Sequence, residues 1–139
     1  MDKETIMVEL YSIIESSNLA DLVDRNFLSV EEIPDTAKTV VMIGDEGAED
    51  DIRYTSSDVA DVEFTVTLLC QVQAEKNLSS EMIEFDRKIK ALLGSNRKLN
   101  GKAFSSQIIP LTDKEIVGSI GRFARPLRIQ YEGVVTDGL

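Results

Sequence analysis

The 139-residue sequence contains no histidine and a single cysteine, Cys70. Histidine is the most common general base and metal ligand near neutral pH, so its absence excludes the usual catalytic and metal-binding designs. One cysteine cannot form a disulfide within the chain, and Cys70 falls on the apolar side of an alternating segment, where a thiolate is disfavoured. We therefore expect Cys70 to be a small buried hydrophobic residue.

Long apolar runs and a basic N-terminus are also missing. No run approaches the roughly 18 apolar residues of a membrane span. The first ten residues carry acids where a secretory signal would carry bases. We expect a protein that is made in the cytoplasm and has no membrane partner. Its length and 42% hydrophobic composition suit a single domain, 1–139, with one core.

Basic residues are few, 15 against 25 acids, and the net charge is −10. A general nucleic-acid binder needs the opposite excess, so this class is disfavoured. Residues 1–69 have a net charge of −13 and residues 70–139 a net charge of +3. This asymmetry fits an acidic surface that meets the basic surface of another copy or of a partner, although two ordinary solvated faces would need no partner.

Residues 44–58, GDEGAEDDIRYTSSD, hold six acids and one arginine. Such a composition cannot build a core, and it predicts a surface loop or a segment that orders on binding. The acids do not match the spacing of a calcium loop, and the glycines lack the Lys-Ser/Thr pair of a phosphate loop. We expect no catalytic residue, no cofactor and no bound metal, and no enzymatic activity.

Hydrophobic periodicity predicts two amphipathic helices, the first capped by Asp2 and the second, LSSEMIEFDRKIKALLGSN, capped by Ser79 or Ser80 and ended by Gly94. Two long alternating segments, 61–75 and 118–133, predict strands, as do TVVMIG and, more weakly, AFSSQIIPLT. Residues 18–27 suggest a turn of helix, and DKEIVG a loop. The expected fold class is α+β, a mostly antiparallel sheet with two main helices on one face and long strands extending beyond the core.

The polar sides of the two long segments supply candidate interface residues. Uncharged polar side chains on the first suit a surface half covered by another subunit, although β propensity alone also favours threonine there. The second carries arginines, of which Arg125 has the apolar phase beside Pro126, and a bulge would turn it outward. We expect the arginines to meet acids of an adjacent subunit. The candidates are Thr65, Thr67, Gln71, Gln73, Arg122, Arg125, Arg128, Glu49, Asp50 and Asp51.

The order of these features resembles that of the tail terminator, or tail completion, proteins of long-tailed bacteriophages, also called minor tail protein U-like proteins. The resemblance covers nearly the whole chain. It lies in the order of the helices, strands and turns and in their patterns of apolar and polar residues, with no invariant motif. Its features are the N-terminal helix, TVVMIG followed by acids, DVEFTVTLLCQVQAE, the helix EMIEFDRKIKALLG, the KLNG turn and RPLRIQY.

The resemblance implies a homo-oligomeric ring, normally a hexamer, in the virion tail of a phage or prophage. Such a ring stops polymerisation of the tail tube and offers a head-joining surface, so its partners are the tail tube protein and a head completion or connector protein. An acidic lumen would let DNA pass without binding. A head-tail connector of the neck and, from another class, a small-molecule-binding α+β domain or an enzyme are the alternatives.

Overall fold

The computed structural model of the chain describes residues 2–45, 50–110 and 113–139. These residues form two α-helices, seven strands and two short 3-10 helices. Their bounds are α1 Lys3–Ser16, β1 Leu22–Asp24, 3-10 Val30–Glu32, β2 Thr39–Gly44, β3 Asp51–Tyr54, β4 Val59–Gln73, α2 Leu78–Ser95, β5 Ser105–Ile108, β6 Asp113–Val117, β7 Ile120–Val134 and 3-10 Val135–Asp137.

The fold is α+β with a mixed, mostly antiparallel sheet, as the sequence predicted. The strand order is β1-β2-β4-β7-β5, with β3 also beside β4 and β6 also beside β7. The pairing of β1 with β2 is parallel, whereas the other pairings among the described strands are antiparallel. TVVMIG forms β2 as expected, and it reads as a continuous apolar run because both of its faces are covered.

The two longest strands, β4 and β7, form a ribbon that runs through the whole sheet. Each has fifteen residues, and all of them pair, from Val59 opposite Val134 to Gln73 opposite Ile120. At roughly 3.3 Å per residue, the ribbon is about 50 Å long. Its length is shared between two shorter strands on each side, β2 and β3 along β4, and β5 and β6 along β7. Strand β4 is therefore long enough for two shorter strands, β3 and β2, to pair with it one after the other.

Both helices pack on one face of the sheet, called the inner face here. Even-numbered residues of β4 and odd-numbered residues of β7 point to it, because successive side chains alternate. Helix α1 buries Ile6, Leu10 and Ile14 there, and the Asp2 side chain caps it by accepting a hydrogen bond from the Thr5 amide at 2.8 Å. Helix α2 adds Met82, Phe85, Ile89 and Leu93.

The opposite, outer face is covered over only part of its area. Residues 26–37, the cover segment, place Ile33 and Ala37 against Val40 and Met42 in a second, smaller apolar cluster. This cluster lies at the β1–β2 side of the sheet. The outer face of the ribbon beyond it is more open, and Thr65 and Thr67 keep partial exposure there.

Three expectations about local structure are wrong. Residues 22–24 form strand β1 instead of a helical turn, after a left-handed Asn18 (φ 55°) has redirected the chain. Residues 113–117, expected as a loop, form β6, and part of the acidic segment forms β3. Every residue of β3 and β6 is exposed, so neither strand carries an alternating burial pattern that its sequence could announce.

The boundaries of α2 also differ from expectation. Its N-cap is Asn77 in a left-handed conformation, and Gly94 lies inside the helix, which continues to Ser95. Further along the chain, β7 pairs with β4 without interruption across Arg125 and Pro126, so the expected bulge is absent from this pairing. Arg125 consequently keeps its inward phase.

Candidate functional site

Pro126 marks the point where β5 gives way to β6 along the edge of β7. Its carbonyl accepts a hydrogen bond from the Ile109 amide at 3.0 Å. Because the nitrogen and oxygen of one strand residue point to the same edge, the proline nitrogen faces the gap between these two strands. There it replaces no ladder donor, which is why a proline is tolerated inside a fifteen-residue strand.

Arg122 binds its own chain from the outer face of β7. Its Nε donates to the Gln71 side-chain oxygen at 2.8 Å, and its Nη2 donates to the Leu28 carbonyl at 2.9 Å. Gln71 is only 2% exposed. These two predicted interface residues therefore tie the ribbon to the cover segment, and Gln71 is not part of an accessible surface.

Arg125 lies inside the protein, between the sheet and α2. Its side chain is 4% exposed and forms a two-pronged ion pair with Asp86, with Nε–Oδ1 and Nη2–Oδ2 distances of 3.0 and 2.7 Å. Its Nη1 also donates to the Ile109 carbonyl at 2.7 Å. The expectation that Arg125 turns outward is wrong. Asp86 also lies 3.5 Å from Lys90, one turn further along α2, and it is only 14% exposed because it faces the core.

Arg128 is the one of the three predicted arginines with a largely exposed side chain. Its Nε lies 3.1 Å from Glu63 Oε1 across the ribbon. Gln130 donates to the other oxygen of Glu63 at 3.1 Å and accepts from the Ser105 hydroxyl at 3.2 Å. A row of polar side chains thus crosses the outer face from β5 to β4. Thr65, opposite Arg128, and Thr67, opposite Pro126, lie beside this row and are half-buried, as is Gln73 near the end of β4.

The acidic segment is attached to the start of α1. Lys3 Nζ donates to Asp50 Oδ1 at 2.8 Å and to Asp45 Oδ2 at 3.2 Å, and it lies 5.2 Å from the centre of the Phe64 ring. Burial alone would lower the pKa of Lys3, but the hydrogen bonds that it donates to both carboxylates outweigh burial and raise that pKa. Asp51 opens β3 and is exposed, whereas Glu49 lies outside the described residues.

Other kinds of function would depend on the thiol of Cys70, on metal ligands or on membrane-spanning helices among the described residues. Cys70 is fully buried, and this burial raises the pKa of its thiol. No group of three or more acidic or sulfur side chains in the described ranges could hold a metal ion. Among the described helices, none is both long and apolar enough to cross a membrane.

Two exposed strand edges were missed at the sequence level. The edges of β3 and β6 that point away from the ribbon pair with no described strand, and both strands expose large hydrophobic side chains. Tyr54 is 64% exposed and Val117 67%, and Ile52 and Ile116 also reach solvent. In DIRY an apolar residue stands at every second position, but over a length too short to separate strand from loop, and in KEIV the two apolar residues are adjacent.

Neither a scan against protein-family models nor a search of curated proteins gave a match to this chain.

Proposed function

We propose that this chain is a structural protein of a phage or prophage tail. Copies of it form a ring, of about six subunits in the resembled family, that ends tail-tube polymerisation and offers the surface to which the head joins. Its partners are further copies of itself, the tail tube protein and a head completion or connector protein. It acts in the virion by covering surfaces and has no catalytic role.

The observation that carries this proposal is the form of the β4–β7 ribbon. The ribbon is about 50 Å long, and both helices lie on one face of it. Its outer face is covered by the cover segment at one side only, and Thr65, Thr67 and Pro126 stay half-exposed there beside the Arg128–Glu63 ion pair. A partly buried sheet surface of this kind, with uncharged side chains next to a polar row, suits contact with a neighbouring subunit.

Charge supports the same function. A net charge of −10 would give a ring an electronegative opening, which repels the phosphate backbone and lets DNA pass without adhering. Of the predicted interface residues, five keep accessible surface and stay candidates for subunit contacts: Arg128, Asp51, Thr65, Thr67 and Gln73. Arg128 already pairs with Glu63 of its own chain, so a carboxylate of a neighbouring subunit would share Arg128 with Glu63.

Native mass spectrometry and negative-stain microscopy of the purified protein test the ring. We expect a closed oligomer with a central opening, either free at high protein concentration or at the ends of tubes grown from the tail tube protein of the same virus. Tubes grown with the protein present should stop lengthening once capped. A protein that stays monomeric in both settings and leaves tube growth unchanged would rule out this function.

A further inference from the structure

The free edges of β3 and β6 face away from each other within one molecule. Strand β3 pairs with β4 at one end of the ribbon, where Arg53 lies opposite Asp61. Strand β6 pairs with β7 at the other end, where Glu115 lies opposite Arg122 and hence beside Gln71 of β4. Ten residues of β4 separate these positions, so the edges are about 33 Å apart along the strands and about 14 Å across them.

Resting on the proposed ring, we propose that β3 of one copy adds to the free edge of β6 of the next copy, forming a continuous antiparallel sheet between subunits. Two copies with the same orientation satisfy the required strand directions. Both β3 and β7 run antiparallel to β4, and β6 runs antiparallel to β7. Strands β3 and β6 therefore point in opposite directions, and a displaced copy presents the same sheet face.

Backbone phase fixes which residues of β3 can bond outward. The Thr55 amide donates to the Val59 carbonyl of β4 at 3.0 Å. Bonding direction alternates along a strand, so Arg53 also bonds towards β4 while Ile52 and Tyr54 point their amides and carbonyls to the free edge. These two residues are the ones available to another strand.

The same argument applies to β6. The Pro126 carbonyl points to the β5–β6 edge of β7, so the even-numbered residues of β7 bond in that direction. Their partners on β6 include Glu115 and Val117. The intervening residues, Lys114 and Ile116, therefore present their backbone groups to the free edge.

One register matches backbone phase, sheet face and side-chain chemistry together. It sets Ile52 opposite Ile116, Arg53 opposite Glu115 and Tyr54 opposite Lys114. The first and third pairs are the outward-bonding residues of both strands. On the inner face they join two exposed aliphatic side chains and place an ammonium group beside an aromatic ring. On the outer face Arg53 meets a carboxylate.

Charge complementarity indicates a second copy of this chain as the occupant of each edge. Neither Arg53 nor Glu115 forms an ion pair within the described residues, and both are exposed. A shift of two residues in one direction would place Arg53 opposite Val117, which loses the ion pair. A shift in the other direction would place Arg53 opposite Asp113, but it would also set Asp51 opposite Glu115, two like charges. Each edge therefore has its best-matched partner in the other edge of an identical chain.

Cysteine cross-linking tests the register directly. Arg53→Cys combined with Glu115→Cys places two thiols on a non-hydrogen-bonded pair, whose Cα atoms would be about 4.5 Å apart, within the range of a disulfide. The matched control, Arg53→Cys with Val117→Cys, shifts one thiol by two residues, to about 7–8 Å, which is too far. A bridge inside one chain is excluded by the separation of the two edges.

Under mild oxidation we expect the first variant to give a ladder of cross-linked oligomers on a non-reducing gel and the control to stay largely uncross-linked. Oligomers that form without selective cross-linking at this register would overturn the strand addition and leave the ring standing. A monomer at all concentrations and on tail tubes, without cross-links, would overturn both proposals.

Charge exchange gives an independent readout. Arg53→Glu or Glu115→Arg alone places like charges opposite each other and should weaken association about fivefold per contact, whereas the double variant should restore it. Single variants that assemble as well as the parent, or a double variant no better than the singles, would contradict the pairing.

Discussion

The buried ion pair between Arg125 and Asp86 offers the sharpest test of how α2 is held on the sheet. Removing one member of such a pair leaves the other charge buried without its counter-charge, which usually costs about 3–5 kcal/mol. Asp86→Asn keeps the shape and one acceptor oxygen, and the Ile109 carbonyl still accepts from Arg125. We therefore expect a loss near the lower end of that range, about 3 kcal/mol.

This loss is large for a domain of this size. A free energy of unfolding of about 5–15 kcal/mol is typical, so the substitution would remove a fifth or more of it. For 139 residues the unfolding entropy is about 0.29 kcal/mol/K, which converts 3 kcal/mol into a drop of about 10 °C in melting temperature. Urea denaturation followed by circular dichroism measures the first quantity, and a thermal melt the second.

The same helix supplies the control. Glu84, two residues before Asp86, forms an ion pair with Arg87, but both of these side chains are about half exposed. Glu84→Gln should leave the urea midpoint unchanged, because exposed pairs contribute little. A loss below about 1 kcal/mol for Asp86→Asn would refute the reasoning.

A double replacement separates the ion pair from the packing around it. Arg125→Met with Asp86→Leu removes both charges and leaves apolar groups of similar size. Because the desolvation cost of both ions disappears together, this variant should be more stable than Asp86→Asn alone. If the double variant is the less stable of the two, the two side chains stabilise the protein through packing rather than through their charges.

Three further predictions concern single side chains. Arg122→Met should lower the free energy of unfolding by about 1–3 kcal/mol, since it removes one hydrogen bond to the Leu28 carbonyl and one to the buried Gln71, and amides of the cover segment should exchange hydrogen faster. Cys70 should react with a maleimide only in denaturant, because burial shields its thiol and raises its pKa. Lys3→Met should lower the free energy of unfolding fully at pH values below the unfolded-state pKa of lysine, about 10.4. The loss should shrink as pH rises through the raised folded-state pKa, because the parent protein then loses the charged bond to Asp50 as well. An effect that grows with pH would contradict this.

The long elements of the fold could be predicted because their residues are buried on one side only. The alternation in β4 and β7 and the apolar stripe of α2 each follow from contact with the core. Strands β3 and β6 were missed because they owe their conformation to hydrogen bonds with a neighbouring strand and bury nothing. A strand that is exposed on both faces does not require a periodic pattern in its sequence, and four or five residues are too few to reveal one.

The candidate site was predictable in part, for a related reason. The phase of Arg125 correctly indicated the inner face, whereas the bulge expected from Pro126, which would have turned Arg125 outward, is absent. A buried arginine needs a counter-charge, and here it is Asp86, which lies 39 residues earlier on α2. Periodicity gives the direction of each side chain, whereas the meeting of α2 with β7 is a property of the tertiary packing.

The two free edges also bear on whether an assembly of this chain would be open or closed. Joining β3 to β6 is a contact between different surfaces, so each added copy exposes the same edges again, and the outcome is a ring or a fibre according to the rotation between copies. Sheet twist makes such a rotation unavoidable. An open chain would leave an unpaired edge with exposed Tyr54 at one end and one with exposed Ile116 at the other, and edges of this kind invite further pairing. A ring satisfies all of them, and for a protein whose proposed task is to end polymerisation, closure is the arrangement that stops its own growth as well.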